Sequence, residues 1–313
     1  MIISPIALFV YNRPEHTLLI LEALEKNQLA KKSILYVFAD GIKSGADVAS
    51  IHKVNQVKNI IKSKSWCKQT IIIKREHNFG LAKSIISGVT EVIRKHKKVI
   101  VLEDDILVST GFLSYMNDAL NLYEHEEKVG CIHAWNYDFP HSKVRESTFF
   151  LKGADCWGWA TWERAWSLFE PNGQQLLTEI ADKKLAYSFD RNGTHSFFQM
   201  LKDQIAGNND SWAIRWHASL FLKNKFCLQP AKAIVKNIGL DGSGIHCGAN
   251  GMQQNPVMSI NVNKIPIEEP AWFFKEMNKY NRNINKTTVL KKIKTIIYLL
   301  LRKFNSPINS LSA

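Results

Sequence analysis

A chain of 313 residues with 45% hydrophobic and 22% charged content can bury a substantial core, which sets aside a disordered segment. Its formal charge of +13 is concentrated near the end, where nine Lys or Arg between Lys275 and Lys303 face one acid, Glu276. No aromatic-interleaved basic patch or DNA-binding motif accompanies that charge, so nucleic acid is excluded as a partner. Five scattered cysteines without a CxxC indicate neither a disulfide framework nor a zinc site. No stretch reaches the roughly 20 apolar residues a membrane-crossing helix needs. Since Met1–Val10 also lacks a basic n-region, a cytoplasmic location is expected.

The first third alternates strand and helix patterns, as a parallel sheet with crossover helices does. Strands are expected at 5–11, 33–39, 70–74 and 99–102, with helices at 15–27, 46–62 and 80–95 between them. Four strand ends then meet on one edge: Asn12-Arg13, Asp40-Gly41, His77-Asn78 and Glu103-Asp104-Asp105. The fourth is the most informative. The apolar run Val99-Ile100-Val101-Leu102 has the length and β-branched content of a buried strand, and open α/β sheets bind ligands at such carboxyl ends.

Three adjacent carboxylates repel one another unless a cation shares the site. Mg²⁺ and Mn²⁺ favour carboxylate oxygens together with substrate phosphates, which suggests a nucleotide-activated substrate. Neither GxGxxG nor GxxxxGK[ST] is present, so a dinucleotide dehydrogenase or P-loop enzyme is disfavoured. A metal held by Asp105, helped by Arg13 and Lys83, is expected to neutralise a diphosphate in place of a glycine-rich loop.

A helix is expected at 111–124 and a strand at 129–136. The segment Cys156-Trp157-Gly158-Trp159-Ala160-Thr161-Trp162 then leads into a helix carrying Trp166, its rings suited either to core packing or to a wall for a sugar face. Asn209-Asp210-Ser211-Trp212 and a strand at 225–230 follow. Gly239, Gly242, Gly244 and Gly248 fall in a loop of the sort that closes over substrate, and His246 lies within it.

These landmarks, in this order, resemble the GT-A fold nucleotide-sugar glycosyltransferases, in particular the N-acetylglucosaminyltransferase I group and bacterial family 2-like enzymes. The resemblance covers residues 4–250. It rests on Asn12-Arg13, Asp40, the E-D-D at Glu103-Asp104-Asp105, Ala134-Trp135-Asn136, Trp157-Gly158-Trp159 with Trp166 to Pro171, and Asn209 to Arg215. It implies a GT-A (Rossmann-like) α/β fold with a mixed, mainly parallel sheet, and metal-dependent, inverting transfer from a UDP-sugar. Asp105 would then bind the Mn²⁺ or Mg²⁺. Asp104 would contact the ribose and Glu103 the donor sugar, while Arg13 and Asp40 held the nucleotide. Trp157 and Gly158 would border the sugar. Asp210 would be the general base, with Asp203 as fallback, and His246 a further metal ligand.

Residues 1–270 are therefore expected to form the catalytic domain, with a nucleotide-binding half at 1–108 and an acceptor half at 109–270. Residues 271–313 are expected as a basic amphipathic extension. Within it, Val289, Leu290, Ile293, Ile296, Ile297, Leu300 and Phe304 recur at helical spacing among lysines, so 286–304 suits an anionic membrane surface. That places the protein at the inner face of the plasma membrane and suggests a glycan or lipid-linked acceptor in bacterial surface polysaccharide assembly. The alternatives are a sugar nucleotidyltransferase and a nonenzymatic carbohydrate-binding or membrane-surface protein.

Overall fold

A computed structural model describes residues 3–139, 147–241 and 255–283. His246, most of the glycine loop and the segment 286–304 lie outside the described residues. The first four strands, β1 (Ile6–Val10), β2 (Ile34–Ala39), β3 (Gln69–Lys74) and β4 (Lys98–Glu103), run parallel. They are joined by the crossover helices α1 (Pro14–Glu25), α2 (Val48–Lys62) and α3 (Leu81–His96). Both faces of β1 are covered, which explains its unbroken apolar run: Ile6, Leu8 and Val10 pack with residues of α1 and α2, and Ala7 and Phe9 with α3.

The second half adds β5 (Ile106–Val108), α4 (Phe112–Leu122), β6 (Val129–His133), β7 (Thr148–Lys152) and β8 (Trp159–Trp162). The helices α5 (Glu163–Trp166), α6 (Gly173–Asp182), α7 (Ala186–Phe189), α8 (Phe197–Ile205) and α9 (Trp212–Leu222) follow, then β9 (Phe226–Pro230) and β10 (Val235–Asn237). The main sheet has eight strands in the order β3-β2-β1-β4-β8-β6-β9-β7, in which β8 and β7 run against the others. A separate antiparallel ribbon pairs β5 with β10.

The tryptophan-rich segment differs from expectation. The segment leads into a helix carrying Trp166, α5, as expected, but residues 159–162 themselves form an antiparallel strand wedged between β4 and β6. Trp159 and Trp162, three apart on a strand, fall on opposite faces and are both buried. Trp159 stacks on Trp212 with centroids 5.2 Å apart, and Trp166 meets Trp216 edge-on at 5.1 Å. Those rings are core, and only Trp157 is left half-buried at the sheet's carboxyl end.

Residues 271–283 form a helix, α10, that docks beside the outer strand β7. Its Phe273 and Met277 pack with Phe139, Phe149 and Leu151 in one buried cluster. Just upstream, Glu269 accepts a hydrogen bond from the β7 backbone N–H of Lys152 at 3.0 Å.

Candidate functional site

The sheet order reverses between β1 and β4, because β2 and β3 lie on one side of β1 and β4 on the other. Ligand crevices form at such switch points, outside the carboxyl ends of the strands. Here the chain places Arg13, after β1, against the acids that end β4. Arg13 Nη1 donates to Asp104 Oδ1 at 3.2 Å and to Asp105 Oδ2 at 3.1 Å. The Tyr11 backbone N–H donates to Asp104 Oδ2 at 3.4 Å. Pro14 at the first position of α1 fixes the backbone just beyond Arg13.

One guanidinium faces three carboxyls, and the imbalance shows in their acidity. Burial, together with Asp105 and against Arg13, pushes Asp104 up to about 6. Burial and the charges of Asp105 and Asp104 push Glu103 well above the usual carboxylate range. The cluster is therefore electrostatically strained without a further cation.

The ribbon closes over it. Asn237 pairs with Ile106, immediately after the acids, and the Ile238 N–H donates to the Asp105 carbonyl at 2.8 Å. Gly239 then lies so close that a Cβ there would come within 2.5 Å of Asp105 Oδ2. The glycine loop thus begins directly against the Asp105 carboxylate.

Asp40, at the end of β2, is buried and fully engaged by the protein. Its Oδ1 accepts from the Gly41 N–H at 2.9 Å and the Phe79 N–H at 2.8 Å. Its Oδ2 accepts from Asn78 Nδ2 at 3.0 Å and the Gly80 N–H at 3.1 Å. The carboxylate ties the end of β2 to the turn that starts α3, where Gly80 has φ +74°. Gly41 has no room for a side chain, since a Cβ would overlap the His77 backbone.

Lys83 and Asp210 share a different feature. Both line a groove of about 660 Å³ along the outer face of α3, with Thr90, Glu91, Arg94 and Arg215. None of the three acids at the β4 tip lines it. Lys83 Nζ sits 4.5 Å from the centre of the Phe79 ring. Asp210 is 70% exposed, 3.8 Å from Arg215 Nη2, and directly precedes Ser211, whose side chain caps α9. Asp203, the fallback, lies in α8 and accepts from Gln199 Nε2 at 3.1 Å.

On the other side of the acids, the loop between β7 and β8 carries Asp155, Cys156, Trp157 and Gly158. Gly158 adopts φ +67° and its carbonyl accepts from the Ala134 N–H at 2.9 Å. Trp157 meets Trp135 edge-on, with centroids 4.8 Å apart. The charges of Glu103 and Asp105 contribute, after burial, to raising the Cys156 thiol, so the loop borders the acid tip. Sequence reasoning missed the polar network under this loop. Arg191 Nη2 donates to Asp155 Oδ2 at 2.6 Å and Gln229 Nε2 to the same oxygen at 2.7 Å. Gln229 Oε1 lies 2.8 Å from His133 Nδ1, and the Trp157 N–H donates to His133 Nε2 at 3.3 Å. No spacing signals it, because its members come from β6, β9, a loop and the α7–α8 connection.

Nearby histidines stay neutral. Burial and the Arg191 charge hold His195 down at about 3, and the same causes hold His217 at about 4. An unfolded histidine takes up its proton near pH 6.5. Acidification below 6.5 therefore favours the unfolded chain until the folded pKa is reached, by at most about 1.4 kcal/mol per pH unit and histidine. Urea midpoints measured from pH 7 to pH 4 should fall less steeply for His195→Asn than for the wild type. Asp104, raised to about 6, acts in the opposite sense over that range but equally in both proteins. Parallel slopes would refute the assignment.

A family model described as GNT-I family matches residues 35–175, a stretch that holds Asp40, the β4 acids and the Trp157 loop but neither Arg13 nor Asp210. Among solved structures, the mannosyltransferase PcManGT from Pyrobaculum calidifontis in complex with GDP-Man and Mn²⁺ is similar. The identity is 12% over 71% of this chain and 69% of that chain, with a TM-score of 0.39. S. aureus TarS aligns at 16% identity over 48% of this chain and 24% of that one, with a TM-score of 0.30. A TarS fragment, residues 1–349, aligns at 14% identity over 53% and 48%, with a TM-score of 0.32. The GNT-I family match over residues 35–175 covers just under half of the chain and, with the switch-point acids and the sheet that presents them, supports a glycosyltransferase.

Proposed function

We propose that this chain moves a sugar from a UDP-sugar to an acceptor hydroxyl with inversion, using a divalent cation shared between Asp105 and the donor diphosphate. The observation that carries this reading is the acid tip of β4, where three partly buried carboxyls face one guanidinium. The donor set suits Mn²⁺ or Mg²⁺: it is all oxygen, and it carries excess negative charge. Among the described residues, no group of three or more His, Cys, Asp or Glu side chains converges to hold a metal unaided. Asp105, with Asp104 beside it, would hold such a cation only together with the donor's phosphate oxygens, a sharing common for Mg²⁺. When bound, the cation stabilises the charge that develops on the leaving diphosphate.

The chain's own groups do the rest. Arg13 offsets the acids and lies where a diphosphate would meet it. In this reading Asp104 contacts a ribose hydroxyl, Glu103 the donor sugar, and Trp157 with Gly158 the sugar's flank. Asp40, with four donors already on its two oxygens, holds the 78–80 turn instead of presenting itself to a base. On the same reading Asp210, exposed at the N-terminus of α9, takes the proton from the acceptor hydroxyl, and Lys83, which lines the same groove, helps to neutralise the donor diphosphate. His246 is a candidate second ligand. The acceptor is a glycan or a lipid-linked oligosaccharide of bacterial surface polysaccharide, reached from the inner membrane face through 286–304. The basic amphipathic pattern of that segment supports this.

Full-length protein given UDP-, GDP- and CMP-sugars with Mn²⁺ should release nucleoside diphosphate from a UDP-sugar and lose that activity in EDTA. Release undiminished by EDTA would overturn the metal assignment. Formation of a nucleotide-sugar from a sugar phosphate and UTP would instead show a nucleotidyltransferase.

A further inference from the structure

The network beneath the Trp157 loop joins parts of the molecule that are distant in sequence, alongside the contacts of Tyr137 with His195 and of His217 with Ala154. Asp155 lies between β7 and β8, and Arg191 follows α7 in the helical lobe formed by α6, α7 and α8. Their side chains meet at 2.6 Å with Arg191 almost wholly buried. Arg191 reaches this position with φ +48°, and Asn192 and Gly193 after it are also left-handed, at +55° and +75°. Two consecutive non-glycine residues in that region cost conformational energy, which persists only where surrounding contacts impose it. Here the imposed contacts are the Asp155 pair and the bond from Thr194 Oγ1 to the Arg191 carbonyl at 2.8 Å.

The far side of the network ends on the loop itself. Asp155 is held by Gln229, Gln229 by His133, and His133 by the Trp157 N–H, so the chain from 155 to 157 is pinned at both ends. Trp157 is thereby kept against Trp135 beside the acids. We infer that Arg191 is a positioning residue: through Asp155 it latches the helical lobe to the donor-side loop and fixes Trp157 as the wall of the sugar site. The inference rests on the proposed glycosyl transfer for its functional meaning, but the latch itself is a property of the fold.

Two readouts on the full chain test it. Hydrogen exchange follows the Trp157 and Ala154 amides, with the buried amides of β1 as an internal control. Calorimetry follows UDP-GlcNAc binding in the presence of Mn²⁺. Arg191→Met should speed exchange at Trp157 by tenfold or more while leaving β1 unchanged, and should weaken UDP-GlcNAc binding by about tenfold. Arg191→Lys should recover part of both. Asp155→Asn, which keeps the shape and removes the charge, supplies the same measurement if Arg191→Met does not fold. Uniform acceleration across the chain, or Trp157 exchange equal to the wild type, would overturn the latch. Wild-type protein that does not bind UDP-GlcNAc would count against the proposed donor, while the exchange measurement would still decide the latch.

Discussion

Replacing Asp105 by asparagine is expected to reduce sugar transfer by on the order of a hundred- to a thousandfold, the range seen when one preorganised electrostatic group is lost from a site. Stability should move the other way or stay level. Asp105 contributes to the unfavourable charge that raises both Glu103 and Asp104, and the asparagine amide keeps the shape of the carboxylate. Arg13 retains Asp104 at 3.2 Å, so the guanidinium is not stranded. A melting temperature equal to or above that of the wild type, together with lost turnover, is the signature of a group kept for function at a cost in stability. Activity within a factor of two of the wild type would remove Asp105 from the mechanism. A matching fall in melting temperature would make it a structural residue instead.

The second large effect concerns stability. Asp40→Asn should destabilise the fold by about 2–4 kcal/mol, because an amide has one acceptor oxygen where the carboxylate has two. Whichever way the amide turns, its NH₂ faces a pair of donors: Gly41 and Phe79 on one side, or Asn78 and Gly80 on the other. Each donor left unsatisfied in a buried position costs about 1–3 kcal/mol. Urea unfolding should show a lower midpoint with an unchanged slope, and hydrogen exchange should quicken in the first turn of α3. A midpoint shift too small to resolve would mean that water replaces the lost acceptor. It would also reopen the reading in which Asp40 is free to meet a ligand.

The first half of the sheet was legible in the sequence because its signals are local. A parallel strand covered on both faces must be apolar throughout, and the stretches around Ile6–Val10, Ile34–Ala39 and Val99–Leu102 meet that condition between amphipathic helices. The convergence of Arg13 with Asp104 and Asp105 followed from the crossover order alone. Strand β8 was not legible, since Trp159-Ala160-Thr161-Trp162 is short and has neither alternation nor a turn signal that separates it from the helix after it. The β5–β10 ribbon escaped for a similar reason. Three residues a side carry no period, and their pairing spans more than a hundred positions. The Asp155 network was beyond reach in principle, because a buried ion pair between a loop and a left-handed turn leaves no periodic trace.

Docking of α10 has a practical consequence for anyone dissecting the basic tail. A truncation at 270 would strip Phe273 and Met277 from Phe139, Phe149 and Leu151, exposing an oily patch beside an outer strand. Such a product would be prone to self-association and could sediment with vesicles for reasons unrelated to charge. A stop codon placed after position 283 avoids the artefact, and only a shortened protein of that design can say what the lysine-rich end does.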